Sequence, residues 1–172
     1  MGEVVARSSE PALGAIKLAW WRERLEELDQ GKVPAEPRLQ AAASELIPLG
    51  ITGASLAGLE EGWAALLQQD PDPEAALRRG ARLFAIGARL LEVDYPLTVE
   101  GAGTLYAAGQ IQRLGMVPDG AFVVTELRAI PPRLRPLTGL AALAKRDLHR
   151  REPEATPVRA FALLRHRLTG RL

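Results

Sequence analysis

Two histidines, His149 and His166, and a few closely spaced acids are the residues best suited to acid–base or metal chemistry in this chain of 172 residues. Both histidines sit among cations: Arg150 and Arg151 follow the first, and Arg165 and Arg167 flank the second. Such neighbours oppose a metal ion and suit surface positions, so no histidine metal centre is expected. Glu26, Glu27 and Asp29, and the pair Glu60–Glu61, fall at helical spacings that expose at least one member of each set, the pattern of a solvated face. Asp70 and Asp72 flank prolines at a helix junction and read as caps. There is no Walker-type glycine loop, no His-Glu-x-x-His and no glycine-flanked serine elbow. Cysteine is absent, which removes disulfides, thiolate zinc sites and cysteine nucleophiles together.

The elements that must carry these residues are helical throughout. Prolines recur at about helix-length intervals, and apolar residues between them are spaced by three and four rather than alternating. A polar leader, Met1 to Glu10, precedes a first helix opened by Pro11 and closed by Gly31, with Leu13, Ile16, Trp20, Leu25 and Leu28 as its buried stripe. A shorter helix carries Leu39, Ala42, Ala43 and Leu46 and ends near Pro48. Ser55 is expected to cap the next, whose Leu56, Leu59, Trp63, Leu66 and Leu67 turn inward. Long helices follow from Pro73 to about Val93 and from Pro96 to Leu114. The second of these holds Gly101, Ala102, Gly103, Ala107, Ala108 and Gly109, small residues that let another backbone or a ligand approach closely. Val117 to Ile130 reads as a short helix, although Phe122-Val123-Val124 also favours strand. Pro136 to Arg150 makes a seventh helix, and Thr156-Pro157 starts the last, with Phe161, Leu164 and Leu168 inward. The expectation is an all-α, single-domain helical bundle of about seven to eight helices.

Adjacent Trp20 and Trp21 cannot both lie at the centre of one helix face, so one packs inside and the other lines a cavity or a contact. The run Leu13-Gly14-Ala15-Ile16-Lys17-Leu18-Ala19-Trp20-Trp21-Arg22-Glu23-Arg24-Leu25, followed by Gly31-Lys32-Val33-Pro34, resembles the tryptophan–arginine helix and proline turn of the squalene/phytoene synthase family. It is most similar to the bacterial branch related to a mitochondrial assembly factor of respiratory complex I. Leu59-Glu60-Glu61-Gly62-Trp63, Arg79-Gly80-Ala81-Arg82-Leu83-Phe84 and Ala107-Ala108-Gly109-Gln110 are similar to later family segments, in the same order. The stretch from Leu137 to Gly170 is similar to the family's C-terminal helices. The resemblance implies a truncated isoprenoid-synthase-like fold over residues 11–172. It also implies a remnant ligand cavity drawing on Trp20, Trp21, Gly103, Tyr106, Ala107 and Gln110.

Enzymes of that family join prenyl diphosphates on magnesium ions held by two aspartate-rich motifs. Here the first motif would fall ahead of Trp20, where only the polar leader stands, and the second would follow Gln110, where the chain reads Arg113-Leu114-Gly115-Met116-Val117-Pro118-Asp119. Trp63 to Leu67 also lacks an expected acid. Without those carboxylates the diphosphate charge lacks compensation, so the expected protein has no catalytic or metal-binding residues and needs no cofactor. It works by binding an isoprenoid or lipid, or by acting as an assembly factor on a protein partner. The alternative is a prenyltransferase of squalene, phytoene, carotenoid or hopanoid biosynthesis, magnesium-dependent, with its first motif supplied by an N-terminal extension or a second chain. A third reading is a scaffold whose apolar groove is filled by a second copy in a homodimer.

The net charge of +1 hides an asymmetry: Arg133 to Leu172 holds ten Lys or Arg against three Asp or Glu. That basic region suits a peripheral contact with an anionic membrane. Its few aromatics argue against nucleic acid. No signal-like apolar segment or stretch of ~20 apolar residues occurs, which makes the cytoplasm, or a membrane-peripheral position within it, the expected location.

Overall fold

Proline at the first helical position sets the frame of this protein, because its missing N–H is one that the first turn cannot use. Pro11, Pro37, Pro73, Pro96 and Pro157 each begin a helix in the computed structural model. That structure describes residues 1–8, 10–116, 127, 130–150 and 152–172. The described residues are all-helical, with no strand among them. The expected helix over Val117–Ile130 lies almost wholly outside them, as does Asp119. The chain divides into two compact units, Met1–Ala75 and Ala76–Leu172.

The first unit contains α1 (Gly2–Arg7), α2 (Pro11–Leu28), α3 (Pro37–Ala41), α4 (Gly53–Ala57) and α5 (Glu61–Ala64). The leader that the sequence presents as polar is thus helical, and its Val5 is buried. Gly2 lies so near Trp63 that an added Cβ would stand 3.0 Å from the indole ring. The core of this unit joins Leu25 and Leu28 of α2 to Leu39, Ala42 and Ala57. Two of the five residues expected in the buried stripe of α2 lie inside. Leu25 and Leu28 are buried with Leu18, but Leu13, Ile16 and Trp20 are 50%, 66% and 42% exposed. Heptad-like spacing identifies residues that share a face without saying which face turns inward.

Gly31 and Gly50, at φ 73° and 78°, adopt the left-handed backbone that ends a helix. Between them α3 runs into a wider π turn over Ala42–Leu46, just before Pro48, whose ring crowds the carbonyl four residues back. The capping residue of α4 is Thr52, whose side chain accepts from the Ser55 N–H, and not Ser55 itself. A second acceptor comes from the end of α2: the Asp29 carboxylate accepts from the N–H groups of Gly53 and Ala54 at 2.6 and 2.9 Å. Asp29 is therefore a structural acid. Asp72 caps α6 as expected, accepting from Glu74 and Ala75.

The second unit holds most of α6 (Pro73–Leu90), then α7 (Pro96–Arg113), α8 (Arg135–His149) and α9 (Pro157–Thr169). Phe84 and Ala88, Val99, Ala102 and Leu105, Ile130, Leu134 and Ala141 form its core. Small residues let the helices close on one another. A Cβ on Gly103 would stand 2.3 Å from the Gly80 carbonyl oxygen, and one on Gly109 would stand 2.7 Å from the Ala144 Cβ.

The last helix departs from expectation. Phe161, Leu164 and Leu168 face outward, exposed by 66%, 54% and 69%, while Ala162 and His166 form the inner face. No described helix is long and apolar enough to cross a membrane.

Candidate functional site

The six residues singled out as cavity candidates fall into two groups, one per unit. In the first unit Trp20 and Trp21 meet edge to face, ring centroids 5.2 Å apart and planes at 85°. Trp21 packs against the core and Trp20 is the outward one.

In the second unit α7 carries the other four. Gly103 and Ala107 are fully buried, and the space beside them is taken by the Gly80 backbone of α6. Of the two uses open to a small-residue face, another backbone rather than a ligand occupies this stretch.

Tyr106 and Gln110 lie one turn apart on α7 and form a polar chain with Arg79 of α6. Arg79 Nη2 donates to Gln110 Oε1 at 2.9 Å, and Gln110 Nε2 donates to the Tyr106 hydroxyl at 2.8 Å. A guanidinium can only donate, which fixes the orientation of the amide. Arg79 is 3% exposed, and burial lowers its guanidinium to about 10, with Tyr106 acting in the opposite direction. It therefore remains a cation at neutral pH. The Tyr106 ring also packs on Phe84, centroids 5.5 Å apart.

A larger charged group ties α7, α8 and α9 together. Asp147 of α8, 5% exposed, accepts from Arg113 Nε and Nη2 at 2.6 and 2.7 Å. On its other side it accepts from both terminal nitrogens of Arg159. Burial alone would raise the Asp147 carboxyl, but hydrogen bonds and charge from the two arginines hold it below the usual carboxylate range. The same hydrogen bond raises Arg113 against the effect of its own desolvation. Arg113 stands where the resemblance would place the start of a metal-binding motif, and its role here is to neutralise Asp147. Among the described residues no group of three or more His, Cys, Asp or Glu is gathered to hold a metal ion.

His166 corrects the expectation for the histidines. His149 is exposed as anticipated, but His166 is 1% exposed and hydrogen-bonded at both ring nitrogens. Its Nδ1 lies 3.0 Å from the Arg171 carbonyl, an acceptor only, so that nitrogen carries a proton. Its Nε2 lies 2.9 Å from the Thr138 hydroxyl. Nothing local in the sequence signals this depth, because the partner Thr138 is 28 residues away.

Beside this anchored helix pair opens a cleft of about 280 Å³ in the second unit. Lys145, Arg146, His149 and Arg150 of α8 and its end, with Arg165 and Arg171, supply its polar walls. Ala142, Ala162 and Leu172 supply its apolar lining. No acidic side chain among the described residues lines it. Arg146 is held by Glu152, 2.6 Å away, whereas Arg150, Arg165 and Arg171 have no carboxylate partner among the described residues. Lys145 Nζ donates to the Leu172 main-chain oxygen at 3.4 Å. The arrangement concentrates positive charge around a half-open space with an apolar wall, which suits a phosphate or diphosphate carrying an apolar chain. The signal in the sequence was the ten-to-three excess of cations from Arg133 onward. Which of those cations converge could not be read from it.

No protein-family model, curated protein or solved structure matches this chain.

Proposed function

We propose that this protein works by binding rather than by catalysis, and that its ligand is an isoprenoid or lipid bearing a phosphate or diphosphate, held by the cleft between α8 and α9. The observation that carries the reading is the wall of five cationic side chains, Lys145, Arg146, Arg150, Arg165 and Arg171, around an opening lined on its other side by Ala142, Ala162 and Leu172. Guanidinium forks recognise phosphate oxygens in pairs and need no bridging metal. The adjoining helices are fixed by the Asp147 pairings and by His166, so the site is organised before a ligand arrives. The resemblance to squalene/phytoene synthases supports the same ligand class, with binding kept and the magnesium-dependent step lost.

The test is calorimetric titration with pyrophosphate, farnesyl diphosphate and farnesol. The expected order is farnesyl diphosphate tightest, pyrophosphate weaker and farnesol weakest. Charge reversal at Arg165 and neutralisation of Lys145, as Arg165→Glu and Lys145→Gln, should each weaken the diphosphate ligands by at least roughly tenfold, the worth of one charge-assisted hydrogen bond. Equal affinity in the variants would place the ligand elsewhere and refute the assignment.

A further inference from the structure

The outward face of α9 is apolar where a free helix face would ordinarily be polar. Phe161, Leu164 and Leu168 recur at three- and four-residue steps and, with Val158 near one edge, are 66%, 54%, 69% and 53% exposed. At about 100° per residue these side chains lie opposite Ala162 and His166, the pair that packs inward. The same arithmetic puts Arg165 along one edge of the stripe and Arg167 along the other. Both are exposed, and neither has a carboxylate partner among the described residues.

This face cannot be a core stripe waiting to turn inward, because the helix is fixed on its inner side at three points. Arg159 is bonded to Asp147, and His166 to Thr138. Arg135 Nη1 donates to the carbonyls of Arg167 and Leu168 at 3.1 and 2.9 Å, which secures the last turn. We infer that the outward face of α9 docks on an anionic lipid bilayer, with Phe161, Leu164 and Leu168 entering the headgroup–acyl boundary and Arg165 and Arg167 meeting lipid phosphates.

Charge complementarity selects this occupant. A strip of apolar side chains bordered on both sides by unneutralised arginines matches an interfacial helix, whose affinity combines buried apolar area with attraction to anionic lipid. A second copy of the chain fits less well, since it would bring Arg165 and Arg167 against their own equivalents. Four side chains of under ~250 Å² each, exposed by half to two-thirds, also fall short of the ~800 Å² per partner that a specific interface buries. This face shares Arg165 with the cleft, whereas Phe161, Leu164, Leu168 and Arg167 lie outside the cleft lining.

The test is co-sedimentation of the full chain with vesicles of phosphatidylcholine alone and of phosphatidylcholine mixed with phosphatidylglycerol. The chain should bind the mixed vesicles, bind the neutral ones poorly, and be released by salt. Phe161→Glu should weaken binding by at least roughly tenfold, because a charge then replaces an apolar ring at the membrane boundary. Arg167→Gln should weaken it roughly fivefold on the mixed vesicles alone. Phe161→Trp keeps an apolar residue there, and its emission should shift to the blue when anionic vesicles are added. Circular dichroism of each variant should match the parent, because the altered side chains are exposed.

Absence of binding to the mixed vesicles would overturn the inference, as would equal binding to both kinds. So would a parent that sediments as a dimer and becomes monomeric on Phe161→Glu, which would make a second copy the occupant. If Lys145→Gln abolished vesicle binding while Phe161→Glu left it intact, the cleft would hold the lipid and the α9 face would not. The converse result, vesicle binding abolished by Phe161→Glu while Lys145→Gln affects only soluble diphosphates, supports both assignments separately.

Discussion

Replacing Asp147 with asparagine keeps the shape of the side chain and removes the one negative charge between Arg113 and Arg159. Both guanidiniums then lose their counter-ion, but not equally. The Arg159 side chain is 12% exposed and has little water to turn to, whereas Arg113 is 30% exposed and keeps the Glu152 carbonyl at 2.9 Å and Glu154 at 3.9 Å. Removing one partner of a fully buried pair costs about 3–5 kcal/mol, because a charge is left behind without compensation. With one of the two arginines half relieved by solvent, the lower end applies, about 3 kcal/mol. At a urea dependence of about 1–3 kcal/mol per molar, the unfolding midpoint should fall by about 1–3 M.

Acid supplies a second signature with a definite sign. The folded carboxyl titrates below its unfolded value, so its stabilisation is complete above about pH 4 and is lost as the pH falls through the folded value. The stability difference between parent and Asp147→Asn, measured by urea denaturation followed by circular dichroism, should therefore be flat from about pH 5 to 8 and shrink below about pH 4. A difference under about 1 kcal/mol at neutral pH, the range of exposed pairs, would refute the reasoning. A difference that did not shrink in acid would do the same.

Two further substitutions probe the backbone. Gly103→Ala puts a Cβ 2.3 Å from the Gly80 carbonyl, which is main chain and cannot rotate away, so thermal denaturation should show a loss of about 1–3 kcal/mol. Ala155 holds φ at 59°, a left-handed conformation that costs an L-residue roughly 1–2 kcal/mol. Ala155→Gly removes that strain at an exposed site and should raise the unfolding midpoint, with a gain of up to about 1 kcal/mol after glycine's greater chain entropy is counted. A lowered midpoint would contradict it.

The helical class and most helix starts were legible in the sequence because proline and a capping acid act locally. Pro11, Pro96 and Pro157 each stand within the first turn, and Asp72 caps as its position suggested. Burial was less legible. On α2 and α9 the periodicity correctly grouped Leu13, Ile16 and Trp20, and Phe161, Leu164 and Leu168, but turned both sets inward when both face out. A helix with two semi-apolar faces offers no local preference between them, and the neighbours decide. On α9 the deciding residues are Arg159 and His166, polar side chains that are drawn inward because their partners are already buried there.

Long-range polar pairs were the least legible. Asp147 meets Arg113 across 34 residues of sequence, and Asp29 meets Gly53 across 24. Acid–base complementarity over such distances has no periodic signature. The cavity candidates divide along the same line. Tyr106 and Gln110, one turn apart, do join in one hydrogen-bonded chain. Gly103 and Ala107 proved to mark a helix crossing, since small size serves close approach whatever does the approaching.

What we propose for this protein is retention of a diphosphate-bearing isoprenoid without its conversion. Native mass spectrometry of the protein from its own host, followed by incubation with magnesium and farnesyl or geranylgeranyl diphosphate, tests it most directly. The expected result is a bound isoprenoid or lipid phosphate, displaced by added farnesyl diphosphate that is recovered unchanged. Formation of squalene or phytoene would contradict it and would make the protein a prenyltransferase.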